Sequence, residues 1–506
     1  MYRTPFYSLK GVVASESALA SSIGVEVLKL GGNAVDASVA TSLALSVTLP
    51  HLGGLGGDFF ALIKSPEGKV TFVNGSGYAP SRMSIERLKS LGLNEMPLEG
   101  PLSAVIPGMV DGLRVMWRKF GVIEWGKLVG LVISMFKDGF PVSSSLAAAL
   151  NNLRETLIRD EGSRKTYFRT THFYSSGDVI RFDGMLKALE AIRDDPRSFY
   201  EGDVAIKISS YVRATGGVLD YEDMRGFQAE LGEPVKLQLD DLLVYEMPPN
   251  TQGVTTLQAL KLLKAVSIGS PTSLKRVNTY LRLFETLYRL RDVYVGDPRF
   301  MKVDVSELLK DDFISKEVST GIHLRGDGDT TYFTVIDENN SIVSGIQSVF
   351  YPFGSKITEP TYGITLNCRA SSFNLIPGHP NSLAPMKRPL HTLSAMIISS
   401  KDREMTLGLS GGHFRPQLHA EIFENVFKYM MNLQEAIEHP RFVWHPGTNV
   451  VELEEGFEAG EVNRYTLRRV KYPSRLGVAA AAEITTKKVK AAYVDVRGDG
   501  LALGLT

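Results

Sequence analysis

The chain has 506 residues, with 43% hydrophobic and 22% charged side chains, an ordinary globular composition with ample material for a large core. Its formal net charge is zero and no basic block or acidic tail interrupts it, which argues against nucleic acid or an anionic membrane surface as partner. The single cysteine, Cys368, rules out an intramolecular disulfide and multi-cysteine structural zinc, and together with an N-terminus lacking an apolar stretch it leads us to expect a cytoplasmic protein.

In chain order, residues 12–30 carry apolar residues (Ala18, Leu19, Ile23, Val27, Leu28) at helical spacing, and Gly31-Gly32-Asn33 ends that helix. A second helix runs to about Leu49-Pro50. The glycine-dense run 53–57 then leads through Asp58-Phe59-Phe60 into a hairpin built on 61–64 and 70–73. Helices dominate from about 80 to 320, one opening at Pro107-Gly108 and two more filling 252–292, with strand candidates near 235–246. The texture changes at Thr330, where strands take over. Thr331–Asp337 and Ile342–Gln347 flank a polar turn, as do Leu393–Ser399 and Met405–Ser410. Segments 489–496 and 501–505 close the chain, and a helix covers about 415–430. Length alone suggests two or three domains, but this order suits two sheets covered by helices on their outer faces.

The junction Gly326-Asp327-Gly328-Asp329-Thr330-Thr331 places paired hydroxyls where a loose acidic run meets a strand. A hydroxyl needs a base to become a nucleophile. Cutting the chain before Thr330 provides one, because the freed α-amine, with an ordinary pKa of about 7.7–8.0, belongs to the same residue. The glycines allow the bend that brings the Asp329 carbonyl onto the Thr330 hydroxyl. Read on its own, the same string is an ordinary loop followed by β-forming threonines.

Further motifs decide between these readings. Gly31-Gly32-Asn33-Ala34-Val35-Asp36-Ala37, Leu55-Gly56-Gly57-Asp58-Phe59-Phe60, Thr330-Thr331-Tyr332-Phe333-Thr334-Val335, Phe353-Gly354, Gly363-Ile364-Thr365-Leu366-Asn367, Lys387-Arg388-Pro389-Leu390 and Ser410-Gly411-Gly412 follow one another across most of the chain. In this order the chain resembles the γ-glutamyltranspeptidase family of N-terminal-nucleophile hydrolases. The resemblance implies a four-layer αββα sandwich. It also implies autocleavage between Asp329 and Thr330, and amide cleavage through an acyl-Thr330 intermediate. Residues 1–329 and 330–506 are then a large and a small subunit segment of one interwoven unit, made from one precursor and acting on a small-molecule amide without metal or other cofactor; a homo-oligomer is compatible with this. Thr330 is implied as nucleophile and base. Ser348 is implied to contact the nucleophile's amine, and Gly411 and Gly412 to form an oxyanion hole from backbone N–H groups.

The substrate positions depart from the family. Ser76 stands where γ-glutamyl enzymes hold the α-carboxylate with an arginine, and Ser372 where they hold the ammonium with an aspartate. His391-Thr392 replaces a serine pair, Phe350 an asparagine and Tyr332 a histidine. Arg369 is an added charge, and with His391 and Thr392 it can grip a carboxylate or polar acyl group. These features resemble the branch of oxamate amidohydrolases and YwrD-like proteins. The expected activity is hydrolysis of a γ-glutamyl or small carboxylate-bearing acyl amide. The alternatives are a true γ-glutamyltranspeptidase or glutathione hydrolase with an altered pocket, and an uncleaved, inactive binding homologue. Arg369 could instead pair with a core acid, and His391 could be a satisfied buried imidazole.

Other chemistries are poorly supported. Gly408-Leu409-Ser410-Gly411-Gly412 matches a G-x-S-x-G nucleophile elbow, but no histidine follows the downstream acid Asp495. No His-Glu-x-x-His spacing occurs, and no Gly-Lys-Ser/Thr follows the glycine run at 53–57.

Overall fold

The computed structural model describes residues 3–168, 172–315 and 328–506. Two seven-stranded sheets form its centre. Their strands are β1 (Phe6–Ser8), β2 (Val12–Ser15), β3 (Asp58–Lys64), β4 (Val70–Gly75), β5 (Glu230–Gly232), β6 (Val235–Leu239), β7 (Leu242–Glu246), β8 (Asp329–Ile336), β9 (Ile342–Phe350), β10 (Met396–Ser399), β11 (Glu404–Leu409), β12 (Ala479–Ile484), β13 (Lys490–Val494) and β14 (Leu501–Gly504). One sheet has the order β14-β2-β8-β9-β3-β4-β5 and the other β1-β13-β12-β11-β10-β7-β6. Each draws strands from both sides of residue 330.

The sheets face one another across an apolar layer that includes Val12, Phe60, Leu62, Tyr332, Ile346, Ala480, Ala482 and Ala492. Thr334 on β8 and Thr406 on β11 meet across this layer, Oγ1 to Oγ1 at 2.9 Å. Behind the first sheet pack α1 (Ala18–Lys29), α2 (Ala34–Thr48) and α3 (Met109–Phe120). Behind the second pack α4 (Gly253–Lys264), α5 (Leu274–Tyr294) and α6 (Arg415–Phe427). This is the expected αββα sandwich of the N-terminal-nucleophile hydrolases. No helix of the described residues is long and apolar enough to cross a membrane.

Local chemistry explains the elements nearest the site. Asn33 and Asp36 form a reciprocal capping box that starts α2. The Asp337 carboxylate, in the β8–β9 turn, accepts the Ala34 N–H at 2.9 Å and so ties that hairpin to the helix. All of α2 is buried, and its Ser42 hydroxyl donates to the Gln347 side chain on β9. The expected helix over 12–30 is corrected at its front. Residues 12–15 form β2, a strand pairing antiparallel with β8 and β14, and the helix starts only at Ala18. Tertiary pairing of Val12 and Val13 at the sheet centre outweighs the helical spacing behind them.

Candidate active site

Thr330 lies at the start of β8, where the pairing with β9 slips. Asp329 is opposite Phe350 and Thr331 opposite Gln347, so Thr330 alone faces two residues of β9, Ser348 and Val349, which form a bulge on that strand. Thr330 is 1% exposed, and its hydroxyl has no hydrogen-bond partner among the described residues. Buried hydroxyls are normally satisfied, so a free one at a bulge asks for a functional reason. Its backbone N–H donates to Asp329 Oδ1 at 2.9 Å.

Ser348 sits on β9 within this bulge. Its hydroxyl donates to the Asp329 carbonyl oxygen at 2.7 Å and accepts the Phe350 N–H at 2.8 Å. Its contact is thus with the carbonyl preceding Thr330, where the sequence had suggested the nitrogen. Phe350 follows at φ +84°, a costly conformation for a bulky side chain. Its ring lies against Gly328, where a Cβ would come within 2.5 Å of ring carbons. Gly328 also abuts Gly412, whose own Cβ would fall 2.5 Å from Gly328 N and 2.6 Å from Gly328 O. Gly411 and Gly412 adopt φ +132° and +47°, which glycine alone tolerates readily. Gly328 is therefore in close contact with both Phe350 and the glycine turn. Gly326 and Asp327 lie outside the described residues.

Buried acids surround the junction. Glu16 Oε1 is 3.4 Å from the Tyr332 N–H, and burial, reinforced by Asp329, pushes its carboxyl well above the usual range. Burial also raises Asp329, partly offset by Arg475 and then Arg415. Tyr332 points into the layer between the sheets, where its hydroxyl meets Ser344 at 2.6 Å.

The proposed substrate wall centres on a residue that sequence reasoning had passed over, Asp58. It lies on β3 directly opposite Ser348 and is completely buried. Its Oδ2 is 3.3 Å from Arg369 Nε and 3.0 Å from His391 Nε2, and its Oδ1 accepts the Gly77 N–H at 3.1 Å. Burial works against the Asp58 carboxylate, but His391 and Arg369 outweigh it and hold the group below its ordinary pKa. Burial and then Arg369 push His391 down to about 3, so its imidazole is neutral. His391 Nδ1 accepts the Leu393 N–H at 3.2 Å, which leaves the proton on Nε2, facing Asp58.

Arg369 therefore does pair with a core acid. The pairing is incomplete. Nη1 donates to Thr392 Oγ1 at 3.2 Å, the guanidinium lies 4.0 Å above the Phe350 ring centre, and Nη2 has no hydrogen-bond partner among the described residues. Ser372, on the same short helical turn, also has an unpartnered hydroxyl. Ser76 is satisfied by Asn250, whose Nδ2 donates to its Oγ at 3.0 Å and whose carbonyl accepts the His391 N–H at 2.8 Å. One connected wall thus holds Ser76, Asp58, Arg369, His391 and Thr392, and Phe350 joins it to the Thr330 junction.

The elbow reading of Ser410 fails. Neighbouring strands in both large sheets run antiparallel, and Ser410 Oγ accepts the Val478 N–H at 2.8 Å as part of that network.

Comparison with known proteins agrees with this geometry. The family model for gamma-glutamyltranspeptidase matches residues 20–505. The glutathione hydrolase-like YwrD proenzyme of Bacillus subtilis is 31% identical over 98% of this chain and 98% of its own length. The oxamate amidohydrolase proenzyme of Klebsiella pneumoniae is 30% identical over 89% of each chain. Among solved structures, cephalosporin acylase from Bacillus halodurans superposes with a TM-score of 0.92 at 28% identity, covering 100% of this chain and 98% of that one. With its αββα layers, its threonine at a strand bulge and this match along nearly its whole length, the chain belongs to the γ-glutamyltranspeptidase family and is an enzyme of that family.

Proposed function

We propose that this chain is an autoprocessing amidohydrolase that cuts itself before Thr330 and then hydrolyses a small acyl amide bearing a carboxylate. The observation that carries the reading is the Ser348 hydroxyl on the Asp329 carbonyl, 2.7 Å away, beside an unpartnered Thr330 hydroxyl.

In the first reaction Thr330 Oγ attacks the Asp329 carbonyl carbon. Ser348 polarises that carbonyl, and the N–H groups of Gly411 and Gly412 stabilise the oxyanion. The C–O bond forms first, the hydroxyl proton passes to the Thr330 nitrogen, and the C–N bond then breaks, giving an ester and a free amine. Water then hydrolyses the ester, leaving Asp329 as a carboxylate and Thr330 with a free amine. In the second reaction that amine takes the Thr330 hydroxyl proton, and Oγ attacks the substrate amide. The amine product leaves with a proton, and water releases the acid. Ser348 is free after the cut to orient the new amine. Arg369, Thr392, Ser372, His391 and Ser76 line the acyl side, with Arg369 Nη2 as the cationic contact. The single cysteine supports a reducing compartment, the cytoplasm.

The name of the Klebsiella relative, an oxamate amidohydrolase, supports a small anionic substrate. An ammonia-release assay with oxamate, malonamate and succinamate, run beside γ-glutamyl-p-nitroanilide, tests the reading. Turnover of at least one small anionic amide, well above transfer from the γ-glutamyl donor, is expected. Robust γ-glutamyl transfer with no hydrolysis of the small amides refutes it.

A further inference from the structure

Arg415 is the first residue of α6, three residues beyond Gly412, and is completely buried. Its Nε donates to Leu409 O at 2.8 Å and its Nη1 to Thr392 O. Its Nη2 has no hydrogen-bond partner among the described residues. Arg369 presents the same arrangement to the same residue, with Nη1 on Thr392 Oγ1 and a free Nη2. Two buried guanidiniums thus converge on Thr392, one through its side chain and one through its backbone, each keeping one free donor arm.

Their charges are not balanced. Asp58 is in ion-pair contact with Arg369. The acids whose fields reach Arg415 are Glu246, Asp329 and Glu16. Glu246 is engaged by His419 Nδ1 at 3.0 Å and by the Met247 N–H at 3.1 Å, and burial drives all three acids toward their neutral forms. A fully buried guanidinium without a partner anion is strongly unfavourable, and a planar carboxylate is its natural complement. The location fits the reaction. Gln252 Nε2 donates both to Thr392 O at 3.1 Å and to Gly412 O at 2.8 Å, so one side chain fixes the guanidinium pair relative to the glycine turn.

We propose that Arg415 and Arg369 together form the anchor for the substrate's carboxylate, with Nη2 of each donating to it, and that Arg415 sets the preference for anionic over neutral acyl groups. This rests on the amidohydrolase reading above and names the residue that reading lacks. The carboxylate belongs to the acyl half of the substrate, because the anchor adjoins the glycine turn that receives the attacked carbonyl.

The test compares wild type, R415Q and R415K on oxamate, malonamate and succinamate, each paired with its methyl ester, by ammonia release. The ester removes the charge and adds one methyl group, and ammonia is counted at early times, before ester cleavage regenerates the acid. Wild type should prefer the anion. In R415Q that preference in kcat/KM should fall about 10- to 100-fold, mainly through KM, as expected for the loss of charge-assisted hydrogen bonds. R415K, which keeps a charge without the fork, should fall less. Both variants are checked for self-cleavage and thermal midpoint. If R415Q fails to mature, R415K alone decides, since an undiminished preference overturns the proposal. Equal loss on anion and ester in either variant also overturns it, by making Arg415 a purely structural clamp. A wild type that hydrolyses the amides without preferring the anion overturns the carboxylate reading itself, and the anchor with it.

Discussion

The junction at Thr330 and the charged wall around Asp58 are built on different scales of the chain. At the junction, the decisive contact joins Ser348 to Asp329, 19 residues apart on two strands of one hairpin. In the wall, the decisive contact joins Asp58 to Arg369, 311 residues apart. The first is fixed by backbone pairing and a bulge, with neutral hydroxyls and glycines. The second is fixed by a buried ion pair whose cost is offset only when both partners are present.

The sharpest way to break this contrast is T330A. It should abolish both self-cleavage and amide hydrolysis and leave one band on a denaturing gel, while T330S should retain cutting. Next comes D58N, which strands the buried Arg369 charge. Removing one partner of such a pair typically costs about 3–5 kcal/mol. Denaturant unfolding measures this, and a loss under about 1 kcal/mol would mean that the wall does not depend on the pair. S348A should slow self-cleavage by about 10²-fold by removing one donor to the attacked carbonyl, with S348T close to wild type. A time course on a gel reads this directly, and an unaffected rate removes Ser348 from the reaction.

The last prediction, which has no effect at neutral pH, concerns acid stability. His391 and His51 are both held near pKa 3 by burial, with Arg369 adding to the first and Arg475 to the second. Their ordinary value is 6.5, so the unfolded chain binds these two protons and the folded one does not between about pH 6.5 and 3. Stability from these groups is therefore complete above pH 6.5 and is lost as pH falls toward 3. H51Q removes one of the two protons and should flatten the pH dependence by about 1.4 kcal/mol per unit in that window. An unchanged slope shows that His51 does not contribute.

The same difference in scale governs what the sequence reveals. Thr330, Ser348, Gly411 and Gly412 were picked out through motifs shared with the family, and the structure sets Ser348 on the Asp329 carbonyl and Gly412 against Gly328, next to Thr330. Arg369, His391 and Thr392 stood out in the sequence as departures from the family's pattern, but the Asp58 carboxylate that Arg369 and His391 face did not. Asp58 reads locally as the first residue of a strand after a glycine run, and nothing nearby in sequence announces a buried arginine. Arg415 reads as a helix-starting residue before Pro416, and its free donor arm appears only once Leu409 and Thr392 occupy the other two. The strand β12, Ala479–Ile484, was missed outright, because an alanine run favours helix by propensity and becomes a strand only where two sheets need small side chains between them.

The most direct measurement is N-terminal sequencing of the smaller fragment from freshly purified protein, alongside amide hydrolysis by the same preparation. The sequence Thr-Thr-Tyr-Phe, appearing as activity appears, is the predicted result. An intact chain that hydrolyses the amide at full rate, or a fragment beginning elsewhere, contradicts Thr330 as the nucleophile released by its own cut.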